Sequence, residues 1–284
     1  MKITFVGGGN MATALLGGLL KGDSAITQVH VIEPLAQARD TLVQRFAAQM
    51  RTKGVRFSVD GQDCPQALIT EAESTWIMLA VKPQQMKQAC SEASPSLKTL
   101  LTRGQLLSIA AGISIDALSN WCGNRRIVRA MPNTPALVTQ GVTGMFAHPS
   151  VNATARKQAE QLMCAVGQTV WIDNEALMDA VTALSGSGPA YVFRFVEALS
   201  HAGEQLGLSR QQSFTLTIET IKGAIALLES SGEDPATLRD KVTSKGGTTA
   251  AALASLDQAR FMQIIEQALT AARDRGAEMS KEFR

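Results

Sequence analysis

Histidine is scarce in this chain: three residues in 284, and none of them in a motif. His30 falls inside an apolar run, His148 precedes a proline and His201 sits in a helical pattern, so neither a His-based relay nor a metal set is indicated. Cysteine offers no substitute. Cys64, Cys90, Cys122 and Cys164 stand far apart, form no CxxC pair and have no nearby His, which argues against both a zinc site and a disulfide framework. Such thiols are expected to be reduced and mostly buried, as in a cytoplasmic protein, with no metal bound. Charge is thin as well. Charged residues make up 18% with a formal net charge of +2, and Arg125, Arg126 and Arg129 are the densest basic cluster, so no nucleic acid partner is expected. No apolar run reaches the roughly 18 residues of a membrane helix, and the opening MKITFVGGGNM is too short for a signal peptide. Neither a membrane span nor a leader is expected.

What the chain does have is length and apolar residues, 284 and 45% respectively, enough for two cores. Residues 1–172 alternate helical patterns with short apolar runs at 3–6, 29–32, 55–59, 76–81, 106–110, 126–130, 143–147 and 169–172. Several of these runs are continuous rather than alternating, as strands covered on both faces are. This predicts an α/β domain with a mostly parallel sheet, its last crossover helix over 151–166. Beyond WIDNEAL the apolar spacing switches to three and four, as in Val192, Phe195, Val196 and Leu199. Residues 173–284 therefore read as an all-helical second domain, apolar enough to bury part of its surface against a partner subunit.

The first run opens directly into VGGGNMATALL. Gly7, Gly9 and Ala12 occupy the places of a GxGxxG/A fingerprint: a tight turn, an open approach to the backbone for a pyrophosphate, and a small residue for close packing. The helix start at Asn10 and Met11 then offers free N–H groups to phosphates. The expected fold of residues 1–172 is thus a Rossmann-type dinucleotide-binding domain. Glu33 ends the second run where an acidic residue reads the adenosine ribose, which leans toward NADH; a solvated Glu before the turn-forming Pro34 is the plainer alternative, and Arg39 or another cation close by is able to accommodate NADPH.

Other loops fall at carboxyl ends of predicted strands, where open α/β sheets bind ligands. AVKP brings Lys82, SIAAG brings the small Ala110 and Ala111, and RAMPNTPA brings Pro132 and Asn133 on a proline-stiffened loop. A surface Lys and simple turns account for the same spacing equally well. SGSGPAY reads as a glycine-rich helix start with Pro189 at the first helical position and Ser187 or Gly188 as cap. VTSKGGTTAAAL, residues 242–253, has the same logic more strongly. Ser244, Gly246, Gly247, Thr248 and Thr249 precede an apolar helix, so the N–H groups of 247–249 are expected to point outward and hold a small carboxylate. A plain N-cap by Ser244, Thr248 or Thr249 explains one hydroxyl and leaves the glycines without a purpose.

The absent base also constrains the reaction. Alcohol oxidation generally needs a His or Lys, and Lys222 lacks the Asn four residues on that accompanies the catalytic Lys of β-hydroxyacid dehydrogenases. Hydride addition to a protonated C=N bond escapes that need, requiring only a carboxylate site and a hydroxyl near the nitrogen.

In order and spacing, GGGNMA, AVKP, SIAAG, RAMPNTPA, SGSGPAY and VTSKGGTTAAAL resemble the motifs of the pyrroline-5-carboxylate reductases, over essentially the whole chain. The last is that family's signature. The resemblance implies NAD(P)H-dependent reduction of 1-pyrroline-5-carboxylate to L-proline, the last step of proline biosynthesis. It also implies a Rossmann domain, a helical dimerisation domain, and active sites that involve both protomers of a homodimer; further assembly into a ring of dimers stays open. By the same resemblance, Ser244, Gly247, Thr248 and Thr249 bind the substrate, with Thr249 near the ring nitrogen as proton donor or hydrogen-bond partner. Gly7, Gly9, Asn10 and Met11 match the pyrophosphate turn, and Lys82, Ala110, Pro132 and Asn133 the nicotinamide side of NADP(H) or NAD(H). Two residues depart from the pattern. Glu33 replaces a small or basic residue, and Lys245 stands where Pro is common, leaving a less rigid loop. Two alternatives remain: a reductase of another cyclic imine or small keto acid, and a non-catalytic NAD(P)-binding regulator, against which the complete substrate loop argues.

Overall fold

A computed structural model describes residues 1–22 and 25–283. Each of the eight apolar runs forms a strand: β1 (Lys2–Val6), β2 (Gln28–Ile32), β3 (Arg56–Asp60), β4 (Thr75–Leu79), β5 (Gln105–Ser108), β6 (Ile127–Met131), β7 (Gly141–Ala147) and β8 (Gly167–Trp171). They build one sheet in the order β3-β2-β1-β4-β5-β6-β7-β8, in which only the β6–β7 pair is antiparallel. The continuous runs are the buried strands. Every residue of β2 and β4 is buried, while edge strands β3 and β8 are partly exposed.

Helices cover both faces, and each face has its own core. One gathers Ile3, Phe5, Leu15, Leu16, Phe46 and Trp76; the other gathers Val6, Ile77, Leu79, Met86, Leu100 and Leu106. Neighbouring residues of β1 and β4 thus point into opposite cores, as the pleat requires. The strand order reverses between β1 and β4, which is the switch point where a crevice opens at the carboxyl edge. Because β1, β2, β4, β5 and β6 run the same way, Gly7, Glu33, Lys82, Ala110 and Pro132 all follow strands that end at that edge.

The chain forms two compact units, Met1–Ser187 together with the stretch from Ala272 onward, and Gly188–Ala271. In the first unit the end of helix Phe261–Glu282 lies against the β5 loop: a Cβ at Gly112 would sit 3.4 Å from Met279 Cβ, and Phe283 packs on the second core. The second unit is helical, with Gly188–Gln205, Arg210–Ser231, Pro235–Lys241 and Thr248–Gln258. Its helices keep large apolar side chains exposed, among them Phe193, Phe195, Phe214, Ile225 and Ile264.

SGSGPAY holds the helix start expected of it, at Gly188, but Ser187 ahead of it is helical in backbone rather than an extended cap. Helix Met178–Val181 runs into a π-helical turn at Thr182–Gly186 and on through Ser187, itself in right-handed helical conformation, to Gly188. Such turns are rare and concentrate at functional sites. Here packing accounts for it: a Cβ on Gly186 would come within 2.5 Å of Met131 Cε at the end of β6, so the turn sits directly on that strand.

Candidate functional site

Gly7 has φ +99°, and a Cβ there would lie 2.9 Å from both the Ala80 carbonyl oxygen and Val81 Cγ1. The turn is therefore wedged against the end of β4, and only glycine fits both conditions. Gly9 differs: nothing lies within 4 Å of where its Cβ would be. It is the N-cap of helix Asn10–Lys21, which has neither a side-chain cap nor an acidic residue in its first turn. The N–H groups of Asn10, Met11 and Ala12 are thus left for an anion, with the helix dipole behind them. Ala12, Leu15, Leu16 and Leu19 anchor the helix in the core, each buried Leu contributing about 1.5–3 kcal/mol. An open backbone at Gly9, the N–H groups of the helix start and the absence of an acid in the helix's first turn fit a pyrophosphate.

Glu33 is engaged on both oxygens. Oε2 accepts the Gly8 N–H at 2.9 Å and Oε1 accepts the Leu35 N–H at 3.0 Å. Each oxygen keeps a lone pair for a ribose hydroxyl, so the carboxylate is a brace as well as a candidate reader. Arg39 donates Nη1 to the Glu33 and Pro34 carbonyls at 2.9 and 2.8 Å, holding its cation beside this corner.

Lys82 is exposed at the N-cap of helix Pro83–Ser91, with Pro83 at its first position. Ala110 and Asn133 are placed differently from their sequence readings. The Ala110 side chain is buried in the second core rather than clearing space, so this residue offers a ligand its backbone. Asn133, also buried, accepts the Val142 N–H on Oδ1 at 2.9 Å and so fastens the loop to β7, leaving Nδ2 as its free amide group. Pro132 is buried beside it.

One pair escaped the sequence reading. Arg129 of β6, only 8% exposed in its side chain, meets Glu175 at 2.7 Å. The same Glu175 Oε1 accepts the Ile115 N–H at 2.8 Å. Asp179 is close by, and burial lifts its carboxyl above the usual range, with Arg129 opposing the shift and Glu175 adding to it.

In the second unit, Ser244, Gly247, Thr248 and Thr249 form a compact turn and helix start. Gly246 has φ +72° and Gly247 donates its N–H to the Ser244 carbonyl at 3.0 Å. The N–H of Gly247 is therefore not directed outward as expected; the turn consumes it. A Cβ on Gly247 would lie 2.5 Å from Ser244 Oγ, so both glycines serve the turn itself. Gly247 is the N-cap of Thr248–Gln258, with no side-chain cap and no acid in the first turn. The open donors are those of Thr248, Thr249 and Ala250.

His30 and Cys64 are both withdrawn from chemistry. His30 Nε2 donates to the Asp63 carbonyl and Nδ1 accepts from Ser58 Oγ, both at 2.8 Å, so its tautomer is fixed. Burial pushes the Cys64 thiol up to about 12, away from nucleophilic chemistry. Among the described residues there is no group of three His, Cys, Asp or Glu able to hold a metal, and no helix long and apolar enough to cross a membrane.

Two sequence families match. One, described as pyrroline-5-carboxylate reductase dimerisation, covers residues 175–279; the other, described as NADP oxidoreductase coenzyme F420-dependent, covers residues 2–112. A pyrroline-5-carboxylate reductase of Pseudomonas aeruginosa is 42% identical over 283 residues, 99% of this chain and 98% of the relative. A solved pyrroline-5-carboxylate reductase of Coxiella burnetii superposes with TM-score 0.83 at 36% identity, covering 98% of both chains. The pyrroline carboxylate reductase of Plasmodium falciparum, solved with NADP bound, superposes with TM-score 0.77 at 30% identity over 99% of this chain and 98% of that one.

Proposed function

The chain belongs to the pyrroline-5-carboxylate reductase family, and we propose that the groups described above divide the work of one imine reduction. The protein is an NAD(P)H-dependent oxidoreductase that reduces the C=N bond of 1-pyrroline-5-carboxylate to give L-proline. The observation that carries the assignment of residues is the uncapped helix start at Thr248, donors open and no acid beside them, on a chain whose other uncapped glycine turn fits a pyrophosphate.

Gly7, Gly9, Asn10 and Met11 hold the pyrophosphate, Glu33 the adenosine ribose, and Lys82, Ala110, Pro132 and Asn133 the nicotinamide side. Bound NAD(P)H supplies a hydride from nicotinamide C4 to the imine carbon. The loop Ser244, Gly247, Thr248 and Thr249 orients the substrate. Its N–H groups at Thr248 and Thr249 hold the carboxylate, and Ser244 and Gly247 set the turn. The Thr249 hydroxyl lies at the ring nitrogen, as proton donor or as hydrogen-bond partner of an iminium that already carries its proton. No side-chain base is required, in keeping with the committed state of His30.

The exposed apolar helix faces of the second unit bury against a second copy, making a homodimer. The unpaired thiols fit a cytoplasmic enzyme. The test is direct. Purified protein mixed with pyrroline-5-carboxylate is expected to oxidise NADPH or NADH, followed by loss of nicotinamide absorbance. No turnover with either nucleotide sinks the reading, and faster turnover of another cyclic imine or a keto acid redirects it.

A further inference from the structure

Three of the motif-bearing segments of the first unit meet at one carboxylate oxygen. Glu175 Oε1 accepts Arg129 Nη1 at 2.7 Å and the Ile115 N–H at 2.8 Å. Arg129 lies in β6, two residues before Met131 and the Pro132–Asn133 loop. Ile115 is the first residue of helix Ile115–Cys122, three residues past Gly112, the end of SIAAG. Glu175 itself opens the short helical turn Glu175–Leu177, from which the chain continues through Met178–Val181 into the π-helical turn of SGSGPAY. That segment is pressed onto the same sheet end: Val181 fills the space over Gly144 of β7, and Gly186 abuts Met131 of β6.

We infer that Glu175 is a positioning residue for the nicotinamide end of the site, setting the SIAAG helix, the Met131–Asn133 loop and the Thr182–Gly186 turn relative to one another through Arg129 and the Ile115 N–H. The inference rests on the function proposed above, but it concerns geometry rather than the identity of the substrate. A charge-assisted bond from a nearly buried guanidinium is short, directional and little screened. Glu175 and Arg129 lie 46 positions apart, so the bond fixes elements that the chain itself leaves independent. Arg129 cannot shed its charge, and burial leaves it few other acceptors. The pyrophosphate turn at Gly7–Met11 and the ribose corner at Glu33 do not touch this junction, so nucleotide affinity and nicotinamide placement are separable.

The experiment compares wild type with Glu175→Ala and Glu175→Gln in steady-state kinetics, NADPH binding by nicotinamide fluorescence, and thermal unfolding. The alanine variant is expected to lose about tenfold or more in kcat, with NADPH Kd and substrate KM changed less than about threefold. The glutamine variant, which keeps an acceptor of the same shape, is expected to retain several-fold more kcat than alanine yet fall short of wild type. Unchanged kcat alongside a lowered Tm overturns the inference, because a merely structural clasp does that. A loss of NADPH affinity in step with kcat overturns it as well. If Glu175→Ala does not fold, Glu175→Gln alone decides by its kcat and its NADPH Kd under the same criteria. Wild type inactive on pyrroline-5-carboxylate is a failure of the proposed function, read before either variant is made.

Discussion

The Gly8 N–H donates to Glu33 Oε2 at 2.9 Å, tying the glycine turn after β1 to the residue that follows β2. The second oxygen of Glu33 holds the Leu35 N–H, so the carboxylate spans both loops of the adenosine corner. Turn geometry depends on this side chain, and under the proposed function ribose recognition does too.

Replacing Glu33 separates these roles. Glu33→Gln keeps an acceptor oxygen and removes the charge that repels a 2′-phosphate, so the ratio of NADPH to NADH affinity is expected to rise. Glu33→Ala also releases Gly8, and both nucleotides are expected to bind more weakly, by about 1–3 kcal/mol for the orphaned corner. Fluorescence titration with each nucleotide checks this; an unaltered ratio in Glu33→Gln places the residue away from the ribose.

Thr249→Ala keeps the backbone donors of the helix start and deletes the hydroxyl together with the γ-methyl. A fall of about tenfold or more in kcat, equivalent to about 1.4 kcal/mol of transition-state stabilisation, is expected with NADPH binding nearly unchanged. A wild-type rate removes the hydroxyl from the mechanism.

Gly246 sits at φ +72°, a conformation that costs a residue with a side chain about 1–2 kcal/mol. Gly246→Ala is expected to distort the turn closed by the Gly247–Ser244 bond and to raise the KM for substrate, while NADPH Kd holds. Equal loss of both affinities argues that the loop serves the nucleotide instead.

His30 contributes to the pH dependence of stability. Burial lowers its pKa from 6.5, against the opposing effects of its bonds to Asp63 and Ser58 and the Asp60 charge. The unfolded chain then takes up a proton at a pH where the folded chain does not, so stability is full above about 6.5 and falls as pH drops toward the folded value. Each pH unit in that window removes about 1.4 kcal/mol. Thermal unfolding between pH 7.5 and 5 is expected to show this slope in wild type and a flatter one in His30→Asn, whose stability is lower at pH 7.5 because two buried bonds are lost.

Much of this was written locally. The continuous apolar runs became the buried strands because a run of Val, Ile, Leu and Met needs cover on both faces, and a parallel sheet between helix layers supplies it. The glycine fingerprint was legible for the same reason. Gly7 answers a backbone requirement stated within a few residues, and Gly9 is recognisable by the side chain it lacks. The 244–249 stretch was legible as a turn opening a helix but not in its bonding, since the Gly247 N–H turns back to Ser244 and the open donors lie one residue further on.

What sequence order could not carry is which side chains meet across the fold. Nothing in the sequence singled out Glu175, and Arg129 stood only in a basic cluster; the packing of β6 against the segment after β8 brings them to 2.7 Å. The inward placement of Ala110 and Asn133 likewise depends on the second core and on the Val142 N–H of β7, and Gly186 in the π-helical turn packs on the Met131 side chain. Periodicity and turn chemistry act over a few residues and so determine the elements and the motifs at their ends. The ion pair, the brace at Glu33 and the direction of each loop side chain are settled by contacts between distant segments, which exist only once the sheet has assembled.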